Sequence, residues 1–282
     1  GVRAFSCCKK LREVVLKEGL EEIEAEAFKD CENLTSISFE EGSLLTNIQA
    51  HAFEGMTNLQ FINFGDARIT NIDNFAFRYC ESLQEITIPN TVESIGRYSF
   101  FGCESLSRID IPSSVEYIGR YAFNLTNELD VYFENTILPL YIQENWDYGI
   151  RGYYLGVKDI YTDGDYELAK LTNNTISIIK YNGDEKNIDL TSLNFGVITQ
   201  IGGSAFRYAS IENIILPETI VAIDKYAFAN TNLKTINIPS SVIQIGDSAF
   251  RNSKIENINF ESDSNINKIG MYAFANTVLL KS

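Results

Sequence analysis

Histidine, tryptophan and methionine are scarce in this chain of 282 residues, which has one His, one Trp and two Met. A lone histidine, His51, leaves little for histidine-based acid–base catalysis and too few nitrogen ligands for a common zinc site. The serine-hydrolase motif G-x-S-x-G is also absent. The composition argues against an enzyme, and the sequence predicts no catalytic residue, no metal site and no cofactor.

Basic residues and long apolar runs are also scarce. The chain has 23 Lys and Arg against 38 Asp and Glu, for a formal net charge of −15. Because nucleic acid and anionic lipid both require clustered basic residues, neither is an expected partner. No apolar run reaches the roughly 18 residues that a membrane span needs, so no membrane insertion is expected. A hydrophobic content of 45% still indicates a folded chain.

The cysteines are five in number, which argues against a fully paired disulfide framework, and no C-x-x-C pair occurs. Four of them each follow a phenylalanine by three residues: Cys8, Cys31, Cys80 and Cys103. Elsewhere this position holds small or soft residues such as Met56 and Thr126. The phase predicts buried free thiols that act as small hydrophobic groups, with redox or metal chemistry as the alternative. Cys7 is out of phase and is predicted to be exposed.

An internal repeat is the main signal. The phrase I-x-x-x-[AS]-F recurs in nine full copies, which end at Phe28, Phe53, Phe77, Phe100, Phe123, Phe206, Phe228, Phe250 and Phe274. Successive copies are 22 to 25 residues apart, except for one gap of 83 residues after Phe123. A fixed period of this length is typical of solenoid proteins.

The rest of each unit repeats as well, as in Leu106-Ile109-Ile111 followed by Val115-Ile118-Gly119. The I-x-I step has the period of a β-strand, and Pro112 lacks a backbone donor and ends that strand. The A-F-x-x-C stretch fits one helical or 3₁₀ turn. Because one unit cannot bury its own apolar face, stacked units are predicted to share a continuous spine of Ile, Leu and Phe.

The period and the stretch F-F-G-C-E-S-L-S-R-I-D-I-P-S-S-V-E-Y-I-G at residues 100–119 resemble the BspA-type (Treponema-like) leucine-rich repeat surface protein family. The resemblance covers about 220 residues. It implies a β-rich solenoid with short helical turns, that is, a leucine-rich repeat superhelix in two stacked or consecutive arrays. It also implies an extracellular or cell-surface location and adhesion to host proteins or other cells. No residue carries a family binding role that transfers to this chain.

The interruption of the repeat divides the chain. We expect a first array over residues 1–134, a junction or capping segment over 135–164, and a second array over 165–282. Residues 175–181 alternate in polarity and run into Asn182-Gly183, the strongest short hairpin signal, with Ile188 and Leu190 on the returning strand. The second array is therefore predicted to open with a β-hairpin at Asn182-Gly183.

Outward positions on the strands form the first candidate binding surface. In the first array they include Phe61, Asn63, Glu85, Arg108 and Asp110. Adjacent strands lie about 4.8 Å apart, which places Glu85 beside Arg108. These outward side chains are mostly small and differ in charge and polarity, which suits a broad recognition surface. The alternative is that they form a solvated sheet face with no binding role.

Aromatic residues of the junction form the second candidate. Trp146, Tyr148, Tyr153 and Tyr154 offer rigid ring area with polar tips, as an exposed platform for a sugar or a peptide requires. Sealing the open end of the first array is the other role, and the one that we favour.

The leading functional hypothesis is a non-catalytic cell-surface or secreted module that presents the β-face of a solenoid for adhesion or protein–protein binding. Its expected partner is a host or bacterial surface protein, or a glycan. The alternatives are a carbohydrate-binding module that uses the junction aromatics and a passive stalk for another domain. His51 occupies a position that holds tyrosine in other units, so its ring is predicted to stack in a ladder. The oligomeric state stays open.

Overall fold

The computed structural model describes residues 1–127, 129–136, 141–143, 147 and 150–277. Contacts within the chain divide it into two compact units, Gly1–Ile150 and Arg151–Ser282. Each unit is a β-solenoid in which a coil contributes two short strands and a turn segment around a shared core. The predicted β-rich solenoid is confirmed. The division between the units falls inside the segment 135–164 that the sequence predicts to be a junction.

Strands of the first unit alternate between two sides of the coil. In chain order they are β1 (Glu13–Leu16), β2 (Glu22–Ile23), β3 (Ser36–Phe39), β4 (Asn47–Ile48), β5 (Phe61–Asn63), β6 (Asn71–Ile72), β7 (Glu85–Ile86), β8 (Ser94–Ile95), β9 (Arg108–Ile111), β10 (Tyr117–Ile118), β11 (Asp130–Phe133) and β12 (Tyr141–Ile142). Strands β1, β3, β5 and β7 form a parallel sheet and β9 pairs with β11. We call the outer surface of these odd-numbered strands the β-face. The even-numbered strands form a six-stranded parallel sheet.

The register of the even-numbered strands aligns the same residue of each repeat. Ile23 pairs with Ile48, and Ile95 with Ile118. The ladder continues to β12, where Ile142 aligns with Ile118. The solenoid of the first unit therefore extends beyond residue 134, the limit expected for the first array. Alternation of apolar residues in this stretch is too short to be recognised as a repeat.

The segments around the repeat phenylalanines form the third side of each coil, and they are chains of β-turns rather than the expected short helical turns. The Ala27 N–H donates to the Glu24 carbonyl at 3.1 Å, a local turn bond. The next N–H, of Phe28, donates to the Ala52 carbonyl of the following coil at 2.8 Å. Along this segment, successive backbone N–H groups therefore alternate between a bond within the turn and a bond to the neighbouring coil. The 3₁₀ helix Leu190–Ser192 is the only helix in the described part of the chain.

Backbone conformation explains why these segments are not helical. The residues two before and two after each repeat phenylalanine have positive φ, as Tyr98 (+56°) and Gly102 (+74°) do around Phe100. Right-handed helices require negative φ throughout. Non-glycine residues hold most of these positions, so the packing of the coils imposes a conformation that costs roughly 1–2 kcal/mol at each of them.

The predicted phenylalanine spine is present in the first unit. Phe28, Phe53, Phe77, Phe100 and Phe123 are buried, and the centroids of successive rings are 5.0 to 5.8 Å apart. Full burial of such a side chain stabilises the fold by about 1.5–3 kcal/mol. Isoleucines and leucines of the strands complete the core.

The thiols occupy the positions that the repeat predicts. Cys31, Cys80 and Cys103 are buried and unpaired and Cys7 is exposed, as predicted, but Cys8, which was predicted to be buried with them, is only partly buried. Each buried thiol donates to a phenylalanine carbonyl of the preceding coil; for Cys103 the partner is Phe77, at 3.2 Å.

The second unit begins with antiparallel strands and continues as a parallel solenoid. In chain order its strands are β13 (Gly152–Leu155), β14 (Val157–Asp163), β15 (Tyr166–Leu171), β16 (Ile176–Tyr181), β17 (Asn187–Asp189), β18 (Ile198–Ile201), β19 (Asn213–Ile215), β20 (Ala222–Ile223), β21 (Thr235–Ile238), β22 (Gln244–Ile245), β23 (Asn257–Phe260) and β24 (Lys268–Ile269). Strands β14, β15 and β16 are antiparallel, and β16 leads through a parallel pairing into β18, β20, β22 and β24. Strands β17, β19, β21 and β23 form the other parallel sheet.

Hairpins do open the second unit, but the predicted position of the turn is wrong. The chain reverses between β14 and β15 and again between β15 and β16, where Gly164 and Asn174 have positive φ. At Asn182-Gly183 neither residue has the positive φ that a type I′ turn requires. Strand β17 then pairs with β19 in the other sheet instead of returning along β16.

Local hydrogen bonds explain the corner at Asn182-Gly183. The Asn182 N–H donates to the Asp165 carbonyl at 2.8 Å, and the Glu185 N–H donates to the Tyr181 hydroxyl at 3.1 Å. These bonds direct the chain across the end of the core. A dipeptide signal alone does not include such partners.

An aromatic column also runs through the second unit. Phe206, Phe228, Phe250 and Phe274 stack with successive centroids 5.2 to 5.3 Å apart. Tyr181 continues the column at 5.4 Å from Phe206, and Tyr166 lies 5.0 Å from Tyr181. The antiparallel strands therefore cover the first coil with tyrosines, whose rings pack while their hydroxyls can bond.

Candidate functional site

The β-face of the first unit exposes an apolar ring among polar side chains. Phe61 on β5 is 55% exposed, and Asn63 lies on the same face of that strand. The register places Phe61 between Ser36 of β3 and Glu85 of β7. An exposed phenylalanine in the middle of a sheet gives a binding partner apolar area to bury.

A groove interrupts the β-face beside this ring. Strands β7 and β9 belong to separate sheets, and a groove of about 540 Å³ lies where the pairing stops. It is lined by Gln84, Glu85, Ile86, Thr87, Ile88, Arg108, Asp110, Pro112 and Glu134. Three residues predicted for this surface, Glu85, Arg108 and Asp110, are therefore brought together in one concave site. Phe61 and Asn63 lie on β5, the strand next to β7.

Charge in the groove is unevenly distributed. Arg108 Nη2 lies 2.9 Å from Asp110 Oδ1, and its guanidinium lies 4.8 Å from the centre of the Tyr132 ring. Both members of this ion pair are more than half exposed, so it stabilises the fold by only about 0–1 kcal/mol and a partner can exchange it. Glu85 and Glu134 add two further carboxylates. The groove thus favours basic or hydrogen-bond-donating groups.

Prolines mark where the groove forms. In an earlier coil the Glu40 N–H donates to the Leu16 carbonyl at 3.0 Å and extends the pairing of the strands. Pro89 and Pro112 hold this position in the coils that flank the groove, and proline has no N–H to donate. Pro112 was expected only to end a strand, and neither the groove nor the contribution of Glu134 was predicted from the sequence.

Of the four junction aromatics only Tyr153 and Tyr154 are described, and Tyr154 does not take the exposed position that the alternative role, a binding platform, requires. Trp146 and Tyr148 lie outside the described residues. Tyr153 is partly buried, and Tyr154 on the same strand is completely buried, with its hydroxyl donating to the Gly203 carbonyl at 3.3 Å. Because the Tyr154 ring packs inside the second unit, it cannot contribute to an exposed platform.

His51 is part of a stacked ladder, as predicted, and not a free base. Its ring stacks on Phe75 with centroids 4.6 Å apart, and its Nδ1 lies 2.6 Å from Glu54 Oε2. Burial acts to raise the pKa of Glu54, but hydrogen bonds from Lys29 and His51 outweigh it and hold that pKa below its usual value. The contacts of His51 and Glu54 therefore stabilise the packing of the coils in the first unit.

The buried thiols are unsuited to nucleophilic chemistry. Burial raises the pKa of Cys31 to about 11, and it also raises the pKa values of Cys80 and Cys103 well above the ordinary thiol value. Thiols with raised pKa stay protonated and react poorly. Among the described residues, no three His, Cys, Asp or Glu side chains lie where they could hold a metal ion.

The repeat pattern places the chain in a known family. The family model of the BspA-type leucine-rich repeat region matches residues 1–137 and 169–282, in six copies. This chain belongs to the BspA-type leucine-rich repeat family. No helix in the described part of this BspA-type protein is both long and apolar enough to cross a bilayer.

The chain is similar to several bacterial proteins of solved structure. A leucine-rich cell surface protein from Faecalibacterium prausnitzii is 24% identical, with all of this chain and 81% of that chain aligned and a TM-score of 0.48. A leucine-rich repeat protein from Bacteroides ovatus is 20% identical over 100% of this chain and 80% of that chain, with a TM-score of 0.35. The pneumococcal vaccine antigen PcpA is 19% identical over 95% of this chain and 66% of that chain, with a TM-score of 0.43. No curated protein matches significantly.

Proposed function

We propose that this BspA-type protein is a non-catalytic interaction module outside the cell, which binds a surface protein of a host or of another bacterium. The β-face of the first unit is its binding surface. The observation that carries this proposal is the groove between β7 and β9, with the exposed Phe61 beside it. An apolar anchor next to a polar concave site is the arrangement in which a few residues supply most of the binding energy.

Electrostatics supports a protein partner with basic residues at its contact surface. Arg108 is the single cation among the groove residues, and Glu85, Asp110 and Glu134 are acidic. Lysine or arginine of a partner can pair with these carboxylates while Phe61 enters an apolar pocket. The location outside the cell rests on membership of the family and on the acidic charge, which favours solubility.

The test is a binding screen with the purified chain fixed to a biosensor. Matrix proteins, mucins and intact bacterial cells are passed over it, and each response is measured again with a Phe61→Ala/Arg108→Ala variant. We expect at least one partner whose binding the variant weakens by about tenfold or more, which corresponds to 1.4 kcal/mol.

The matched control is Leu44→Ala/Arg251→Ala, which removes an equally exposed apolar side chain and an exposed arginine that is not among the groove residues. This control should bind every partner within about twofold of the parent. Equal loss in both variants, or no response to any ligand, would contradict the proposal. No response at all is the result that a passive stalk predicts.

A further inference from the structure

The turn side of the first unit carries a column of rings and guanidinium groups away from the β-face. We define the arginine–aromatic strip as Phe75, Arg78, Arg97, Tyr98, Arg120 and Tyr121, from three consecutive coils. Phe75 and Tyr98 stack at 5.2 Å, and Tyr98 and Tyr121 lie 5.3 Å apart. The rings therefore form one continuous column along the axis of the solenoid.

Guanidinium groups alternate with these rings. Arg97 lies 5.4 Å from the centre of the Phe75 ring, and Arg120 lies 4.7 Å from that of Tyr121. Arg78 is held differently, because its Nη1 donates to the buried Glu54 at 3.1 Å. Ring contacts fix the position of the guanidinium groups but leave their edges able to donate hydrogen bonds.

The strip is basic in a strongly acidic protein. Residues 73–79, 96–102 and 119–125 contain three arginines and one acidic residue, Asp73, while the whole chain has a formal charge of −15. Asp73 uses its carboxylate to accept the neighbouring Asn74 N–H at 2.6 Å.

Two of the arginines have no acidic partner. Arg97 and Arg120 are exposed and pair with no carboxylate among the described residues, whereas Arg3, Arg78 and Arg108 each form an ion pair. Two exposed guanidinium groups on adjacent coils, whose strands are spaced by roughly 4.8 Å, form a site for a repeating negative charge.

A peptide strand does not fit this surface. The N–H groups of Phe75, Phe77 and Tyr79 already donate to carbonyls of the next coil at 2.8 to 2.9 Å, so strand addition has no free donors. Side chains on one face of a strand also repeat every ~6.8 Å, which differs from the coil spacing of about 4.8 Å. Pyranose rings of an extended polysaccharide advance by close to one coil spacing, so successive sugars can meet successive coils.

We propose that the arginine–aromatic strip binds an anionic polysaccharide, with the sugar chain running along the solenoid axis. The outward edges of Phe75, Tyr98 and Tyr121 contact the sugars, while Arg97 and Arg120 pair with carboxylate or sulfate groups on successive sugars. Glutamates border the strip in the sequence, at Glu93 and Glu116, and disfavour denser polyanions such as single-stranded nucleic acid, which carries a charge every ~3.4 Å. This site is separate from the β-face.

Fluorescent oligomers of polygalacturonate (carboxylated) and of heparin (sulfated) provide the test, with polarisation as the readout. The neutral probe is the fully methyl-esterified polygalacturonate oligomer of equal length. We expect saturable binding of at least one anionic oligomer, and the two acidic probes tell which group is preferred. Arg97→Gln/Arg120→Gln should weaken binding by about tenfold or more. Tyr121→Asn, which tolerates positive φ, should weaken it about three- to tenfold.

Matched controls separate the strip from general effects of charge and folding. Arg68→Gln removes an exposed arginine elsewhere, and Tyr272→Asn removes an exposed tyrosine of the second unit with the same backbone conformation. Both should bind within about twofold of the parent, as should Phe61→Ala/Arg108→Ala on the β-face. Circular dichroism and thermal unfolding show that each variant is folded.

Four results would overturn the proposal. They are no binding of either acidic oligomer, equal binding of the neutral oligomer, equal binding of polyglutamate or an oligothymidylate, and unchanged binding by the double arginine variant. Equal binding of the neutral oligomer would point to ring contacts alone, and equal binding of polyglutamate or an oligothymidylate would point to a general charge effect. Unchanged binding by the double arginine variant would place the site elsewhere on the protein. None of them bears on protein binding by the β-face, because the two sets of variants do not overlap.

Discussion

Glu54 accepts a hydrogen bond from Lys29 of the preceding coil, with Oε2 and Nζ 2.7 Å apart. Its other carboxylate oxygen accepts from Arg78 of the following coil at 3.1 Å. Since the Glu54 side chain is only 8% exposed, three successive coils are joined through one desolvated carboxylate. Most other ion pairs among the described residues are exposed and contribute little.

Removing the charge of Glu54 should destabilise the first unit. Glu54→Gln leaves Lys29 and Arg78 beside a neutral amide, and we expect unfolding free energy to fall by about 1–3 kcal/mol, less than for a fully buried pair because Lys29 is partly exposed. Urea unfolding followed by circular dichroism measures the change. The exposed pair at Lys17 provides the control, since Glu40→Gln should change stability by less than about 0.5 kcal/mol. Equal losses of unfolding free energy in Glu54→Gln and Glu40→Gln would show that the burial of Glu54 does not strengthen its ion pairs.

The same carboxylate predicts a loss of stability in acid. The pKa of Glu54 is lower in the folded state than its ordinary value of 4.5, so the stabilisation is complete above that value and is lost as pH falls through the folded pKa. Stability curves between pH 7 and pH 3 should therefore converge for the parent and Glu54→Gln. Curves that stay parallel would contradict this origin.

Leu125 should be more stable as glycine. It has φ of +57° and a side chain that is 53% exposed, and the corresponding positions of two other coils are Gly55 and Gly102. A left-handed leucine costs roughly 1–2 kcal/mol, while glycine loses about 0.5–1 kcal/mol in chain entropy. Leu125→Gly is expected to raise the unfolding free energy by about 0.5–1 kcal/mol. Leu44→Gly, equally exposed but without positive φ, should lower it; a decrease in both would disprove backbone strain at Leu125.

Asp224 should make the second unit less stable as pH rises. Burial raises the pKa of Asp224 from 3.8 to about 7, against a hydrogen bond from Gln200 that lowers it. The folded state therefore holds a proton that the unfolded state releases between about pH 4 and 7, and stability falls across this window. Because Asp224 keeps some exposed surface, we expect Asp224→Asn to be more stable at pH 8 by about 1–2 kcal/mol, with little difference at pH 4. Thermal unfolding at both pH values checks this, and the exposed Asp263→Asn should show no such dependence.

Thiol labelling should distinguish the cysteines. Iodoacetamide at pH 8 is expected to modify the exposed Cys7 in the native protein and to leave Cys80 and Cys103 untouched until denaturant is added. Burial raises the pKa of both protected thiols, so neither accessibility nor ionisation favours the reaction. Peptide mass spectrometry measures each site. Native labelling of Cys103 at the rate of Cys7 would contradict the packing of the spine.

Much of the solenoid could be predicted because one physical requirement recurs in every unit. Phe77 and Cys80 share a phase in the sequence, and both are buried for the same reason, the stacking of one coil on the next. The corner at Asn182-Gly183 could not be predicted correctly, because its geometry depends on hydrogen bonds to Asp165, from the turn before β15, and to the hydroxyl of the neighbouring Tyr181. Local turn signals omit such partners.

The candidate site was predictable in part. Outward positions follow from strand period, and this was enough to name Glu85, Arg108 and Asp110. The groove that joins them depends on a missing pairing between two strands, which residue types alone do not specify. The burial of Tyr154 could not be predicted either. Because this residue lies outside the repeat, its position in the sequence does not indicate whether its side chain points inward or outward.

Hydrogen bonds between coils recur at the same positions of each coil, as the Phe28 N–H donates to the Ala52 carbonyl and the Phe53 N–H donates to the Ala76 carbonyl. A duplicated coil would therefore meet the same partners on both sides, and removal of a whole coil would bring equivalent groups together again. Gene-level gain or loss in multiples of one unit can lengthen or shorten such a molecule without redesign of its interior. A change of a few residues within a unit has no such compensation.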